Sequence, residues 1–112
     1  RDTRFAEEVR RAIFTFEHIP TRVAPTDVPR IMRPVEPDAL IRALAAAFAS
    51  APLAAEFLLE NMSKRLAEQM RDEAQGLAPP RGDEGEAAMA EVVTAIRALE
   101  EEGEIRLIPP ED

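Results

Sequence analysis

Apolar residues recur at helical spacing along most of this chain, and prolines and glycines cut the pattern into segments. Phe5, Val9, Ala12 and Ile13 lie on one side of residues 1–12, with Glu7, Glu8, Arg10 and Arg11 on the other. That pattern predicts the end of a helix. The run Ile13-Phe14-Thr15-Phe16-Glu17-His18-Ile19-Pro20 alternates instead. No second run is available to pair with it as a strand. It therefore reads as a linker that tucks Phe14 and Phe16 against neighbouring helices. Pro20, Pro25, Pro29, Pro34 and Pro37 follow within 18 residues, so only a short helix fits, over about 28–33. Asp27 is the expected N-cap, with Pro29 in the first turn, where a missing N–H costs little.

Glu36-Pro37-Asp38 predicts the start of the next helix, with Pro37 at its first position and acids near the positive dipole end. Leu40, Ile41, Leu44 and Phe48 form its apolar stripe, and Ser50-Ala51-Pro52 ends it. From Pro52 the pattern predicts one long helix over about 52–76, with Gly76 as its stop. Leu77 to Gly82 reads as a loop. Asp83 with Glu86 three residues later is a capping-box variant. It opens a final helix to about Glu102 on Met89, Val92, Val93, Ile96 and Leu99, and Gly103 closes that helix. Glu104 to Ile108 is expected to be extended, and Pro109 to Asp112 a tail. No internal repeat is visible, and no linker is long enough to divide the chain into two full domains.

The long 52–76 segment carries the most information. Setting Met62 at zero and advancing about 100° per residue puts Leu66, Leu77 and Met70 near 40°, 60° and 80°. These are the expected buried stripe. Lys64, Arg65, Glu68, Arg71 and Asp72 fall between about 180° and 300°. Arg65, Glu68 and Asp72 share one ridge at i, i+3, i+7. Glu73 projects near the apolar stripe. A mixed-sign ridge has two readings. One is a solvated face with intrahelical pairs, each worth tenths of a kcal/mol. The other is a contact surface that attracts a moving partner yet releases it easily, because solvent screening keeps each contact weak.

Composition narrows the class. The chain has 112 residues, 46% of them hydrophobic but only 4% aromatic, with no Trp or Tyr. Its core must come from Ala, Leu, Ile, Val and Met, which suits an all-α fold. The net charge of −8 argues against nucleic acid and against a polybasic membrane anchor. A basic surface on a protein partner is the natural complement. No apolar run approaches the ~20 residues of a membrane span, and no signal peptide is visible. The chain begins at Arg1, so it is expected to be part of a longer protein.

Catalytic constellations are missing. With no Cys and a single His, His18, no zinc site of usual type can form, and no disulfide either. Ser50 and Ser63 lack a base and an orienting group. Gly76, Gly82, Gly85 and Gly103 do not form a phosphate-cradling loop. Glu100-Glu101-Glu102 lacks the spacing of a calcium loop. Glu56 and Glu60 share a helix face but have no identified partners for acid–base work. No cofactor and no metal are expected.

Five stretches, in order, resemble one family. They are Ile13-Phe14-Thr15-Phe16, Asn61-Met62-Ser63-Lys64-Arg65, Asp72-Glu73, Ala78-Pro79-Pro80-Arg81, and Arg97-Ala98-Leu99-Glu100-Glu101-Glu102-Gly103-Glu104-Ile105. They resemble Met-Phe-x-Phe, Asn-Met-Ser-x-Arg, an acidic pair, Gly-Pro-Val-Arg and Arg-x-Leu-Glu-Glu-x-Gly-Glu-Ile of the FliG C-terminal domain family of flagellar motor switch proteins. The resemblance covers nearly the whole chain. It implies an all-α, armadillo-like bundle (residues 20–112) after a truncated helix and hinge linker (residues 1–19). It implies a rotor component at the cytoplasmic face of the bacterial inner membrane that generates torque and switches direction. The implied partners are the cytoplasmic loop of a MotA-type stator, neighbouring FliG subunits and FliM. The implied stator-contact residues are Arg65, Asp72, Glu73 and Arg81, and the implied hinge is Ile13, Phe14 and Phe16. Two departures stand out. The family's Ala-Leu-Lys-Gly is here Ala43-Leu44-Ala45-Ala46, and its Leu-Asp-Asp-Arg-Ser-Ile-Gln is Val23-Ala24-Pro25-Thr26-Asp27-Val28-Pro29. A helical binding module of this family that serves another partner outside the motor is the alternative.

Overall fold

The computed structural model describes residues 14–77 and 83–109, and among these it contains six α-helices and no strand. They are α1 (Ile19–Arg22), α2 (Val28–Met32), α3 (Pro37–Ser50), α4 (Pro52–Glu60), α5 (Lys64–Gly76) and α6 (Glu84–Glu101). Short 3-10 turns at Phe16–His18 and Pro25–Asp27 lead into α1 and α2.

Helix α3 is the hub. Pro37 occupies its first turn, where no backbone N–H is needed. Ala39, Leu40, Ile41, Ala43, Leu44 and Ala47 are buried, a face wide enough to touch α4, α5 and α6. Its most extensive contact is with α6, whose buried positions are Gly85, Ala88, Val92 and Ile96. Small residues on both faces let the two backbones approach. Leu40, Leu44 and Ile96 then fill the space, each contributing about 1.5–3 kcal/mol by leaving water.

The proline-rich 23–29 segment folds locally. Pro25 starts a 3-10 turn, Val23 and Val28 enter the core, and Asp27 pairs with Arg30 at 3.8 Å. Asp27 therefore sits at the N-cap position of α2 but makes an ion pair in place of the expected capping bond. Asp83 likewise sits at the N-cap of α6 without a side-chain cap. Gly103 does end α6 as expected. Its φ of +81° is the left-handed conformation. The Glu104 and Gly103 N–H groups close back on the Leu99 and Glu100 carbonyls at 2.9 and 3.0 Å, a Schellman motif.

Phe14 and Phe16 are both buried and share one core with Ile19, Leu58 and Ile96. The boundary expected between residues 19 and 20 thus runs through continuous packing. Phe14 lies between two guanidinium groups, Arg22 at 5.6 Å and Arg97 at 6.0 Å from its ring centre. Arg22 is itself buried. Its Nε donates to the Ile108 carbonyl, and the Ile108 N–H donates to the Arg22 carbonyl at 2.7 Å. The extended C-terminal segment is thereby tied to α1, with Ile105 and Leu107 in the core. His18, expected in a linker, accepts from the Thr15 N–H at 3.0 Å and secures the first turn.

The single long helix expected over 52–76 is two helices. The break is the Asn61-Met62-Ser63 turn. The Asn61 side chain donates to the Phe57 carbonyl at 2.8 Å and finishes α4. Ser63 takes extended dihedrals and its Oγ accepts from the Leu66 N–H at 3.2 Å, starting α5. Asn and Ser side chains compete for the backbone groups a continuous helix would use. Here each satisfies a helix end instead, and Met62 packs at the core's edge between them.

Candidate functional site

Restarting the helix at Ser63 changes which face of α5 is buried. Met70 and Ala74 are its two buried residues, with Ala67 partly covered beside them. Leu66 and Leu77, expected in the stripe, are 38% and 43% exposed. Met62 precedes α5, so it cannot set the phase of the wheel. Referred to Met70 and Ala74, Arg65 and Asp72 project roughly opposite the buried face and within about 20° of each other. Both are exposed, as are Lys64 and Glu68. Among the described residues, the side chains of Arg65 and Asp72 take part in no hydrogen bond or ion pair.

The other expected contact residues separate from this pair. Glu73 is exposed but turned about 100° from Asp72. It accepts from the Gln69 amide at 3.3 Å and lines an open depression with Asp38, Arg42 and Glu84. Arg81 and Ile13 lie outside the described residues.

The order of charges along α5 runs against the helix dipole. Lys64 and Arg65 occupy the first turn, where acids are favoured, and Asp72 and Glu73 lie towards the end, where bases are favoured. Glu68 and Asp72, four residues apart, are a like-charge neighbour pair, a repulsive arrangement on a helix. Helix stability alone would select the opposite order.

Sequence reasoning missed a third feature. Arg71, placed by the wheel on the open ridge, is half-buried and forms a two-pronged bond with Glu56 of α4, both contacts at 2.8 Å. Its guanidinium lies 6.0 Å from the Phe48 ring centre of α3. Hydrogen bonding from Arg71 holds the Glu56 carboxyl below its usual range, and the same bonds raise the Arg71 guanidinium further. In an unbroken helix, residues 15 apart would be about 22 Å apart. Only the turn at residues 61–63 brings them together, so a reading with one helix could not find the pair.

Among the described residues no helix is long and apolar enough to cross a membrane, and no three His, Cys, Asp or Glu side chains gather as a metal ion would require.

Residues 1–107 match the family described as the FliG C-terminal domain. The chain is 34% identical over 105 residues to the flagellar motor switch protein FliG of Bacillus subtilis, covering 94% of this chain and 30% of that protein. It is 38% identical over 100 residues to that of Thermotoga maritima, covering 89% and 29%. A crystal structure of H. pylori FliG, residues 116–343, superposes with a TM-score of 0.72 at 26% identity, covering 93% of this chain and 44% of that one. Full-length FliG from Aquifex aeolicus gives a TM-score of 0.71 at 30% identity, covering 91% and 30%. The chain thus spans about a third of the length of the curated relatives it matches. These relatives are named as motor switch proteins, not as enzymes. The chain belongs to the FliG C-terminal domain family.

Proposed function

We propose that this domain is the rotor-side contact of a bacterial flagellar motor switch, and that the outer ridge of α5 meets the cytoplasmic loop of a MotA-type stator. The observation that carries the reading is the ridge itself. Arg65, Glu68 and Asp72 are presented away from the core, in an order that works against their own helix. A costly surface arrangement is expected where another molecule needs it. Arg65 and Asp72 are about 10 Å apart along the axis, enough to address one acidic and one basic group on a partner. At physiological salt the screening length is about 8 Å, so such contacts form at short range and break readily. A partner that moves past the ridge requires that weakness.

In this reading Asp72 and Arg65 are the main contacts. Glu73 and Arg81 act at the margin, and the domain works at the cytoplasmic face of the inner membrane. Neighbouring FliG subunits and FliM are engaged by the longer protein. Reorientation for switching would occur at Ile13-Phe14-Thr15-Phe16. Phe14 and Phe16 are buried, so that movement would require both rings to repack against the core. The test is to reverse Arg65 and Asp72 together in the full-length protein. Lost motility with a folded domain supports the reading, and normal swimming overturns it.

A further inference from the structure

Helix α5 has little to hold it. Of its 13 residues only Met70 and Ala74 are buried, against six of 14 in α3. Apolar packing on so narrow a stripe is non-directional and leaves rotation about the helix axis poorly fixed. With side chains the helix radius is about 5–6 Å, so a 20° roll would move the outer ridge by roughly 2 Å. A charge contact that depends on reach would feel that displacement.

The Arg71–Glu56 fork resists that roll. Two parallel N–H···O bonds at 2.8 Å define a plane as well as a distance, which a single contact does not. Phe48 of α3 lies 6.0 Å from the guanidinium, so α3, α4 and α5 all meet at Arg71. Asp72 is the next residue along the chain. Arg65 lies less than two turns before Arg71 on the same rigid helix.

We infer that the Arg71–Glu56 fork, steadied by Phe48, is a positioning device that sets the angle at which α5 presents Arg65 and Asp72 to the stator. This rests on the stator reading of the ridge. Glu56 and Arg71 act through the ridge, so their main effect appears in coupling, and the exposed pair adds only a small stabilisation of the fold. Position 56 belongs to a different helix from the ridge and is linked to it through Arg71.

The test places Arg71→Lys, Glu56→Gln and the swap Glu56→Arg/Arg71→Glu in the full-length protein in the source bacterium. Motor torque is read from rotating tethered cells, and thermal unfolding of the purified proteins is followed in parallel. Arg71→Lys keeps the charge but loses the fork. The expected result is a several-fold loss of torque for Arg71→Lys and for Glu56→Gln, unfolding midpoints close to the parent, and recovery of more than half the torque in the swap. Wild-type torque in Glu56→Gln or Arg71→Lys overturns the inference. A swap no better than the single variants also overturns it, and makes Arg71 a direct contact. The Arg65/Asp72 reversal is run alongside. If that reversal is silent, the stator reading falls and this inference with it. If it is damaging while the fork variants are silent, the fork inference alone falls.

Discussion

Reversing Arg65 and Asp72 together should stabilise the domain while it disables the motor. A base in the first helical turn costs about 0.3–1 kcal/mol and an acid there contributes a similar amount, so Arg65→Glu shifts α5 by roughly 0.6–2 kcal/mol in the stabilising direction. The new acid at position 65 would stand three residues from Glu68, a repulsion of about 0.2–0.5 kcal/mol that the parent lacks. Asp72→Arg removes the Glu68 repulsion, which returns about the same amount, and gives up the weak, solvent-screened attraction between Asp72 and the neighbouring Arg71 guanidinium. The two pair effects cancel, and the dipole gain of roughly 1 kcal/mol is left. In a domain of this size that raises the unfolding midpoint by about 4 °C. Circular dichroism at low ionic strength measures it, and the increment should shrink in about 0.5 M salt, where screening falls to a few ångströms. A midpoint several degrees below the parent would refute the argument. It would mean that the ridge charges hold the fold together and that their order needs no outside partner to explain it.

Three further expectations follow from named contacts. Ser63→Ala removes the cap on the Leu66 N–H and should cost about 1 kcal/mol; faster amide exchange confined to the first turn of α5 would locate the effect there. Phe14→Ala opens a cavity between Arg22, Arg97 and the core and should cost about 3 kcal/mol in denaturant unfolding; Leu53→Ala, at a residue 79% exposed, should leave stability unchanged. The folded-state pKa of Glu56 lies below the ordinary 4.5, so the stabilisation from its pair with Arg71 is complete above 4.5 and is lost as pH falls through the lowered folded value. Carboxyl NMR titration should show Glu56 titrating below the ordinary carboxylate value, and Arg71→Gln should return it towards that value.

Much of the fold was legible because its punctuation is chemically strong. Pro37 and Gly103 bound helices for reasons that no tertiary contact overrides. The burial of Phe14 and Phe16 followed from their size and from the lack of a strand partner. The break at Asn61-Met62-Ser63 was hidden because it contains neither Pro nor Gly, and apolar periodicity runs across it from Leu58 to Leu66. An Asn that can close one helix, followed two residues later by a Ser that can open another, was the available signal. The outward direction of Arg65 and Asp72 survived the phase error because both lie far from either version of the buried stripe. Glu56 and Arg71 could not be paired without knowing the turn, since their contact depends on three-dimensional folding rather than spacing. Arg81 and Ile13 fall outside the described residues.

Contact itself can be measured directly. Residues 1–112 contain no cysteine, so Arg65→Cys, Glu68→Cys or Asp72→Cys introduces a single thiol into this domain. Each is combined in living cells with a cysteine in the stator's cytoplasmic loop, and Leu53→Cys, at an exposed position of α4, serves as the control. A rotor–stator adduct at the three ridge positions and not at position 53 is the predicted result. Adducts absent from the ridge, or equally abundant at position 53, would contradict the assignment of α5 as the surface on which the stator acts.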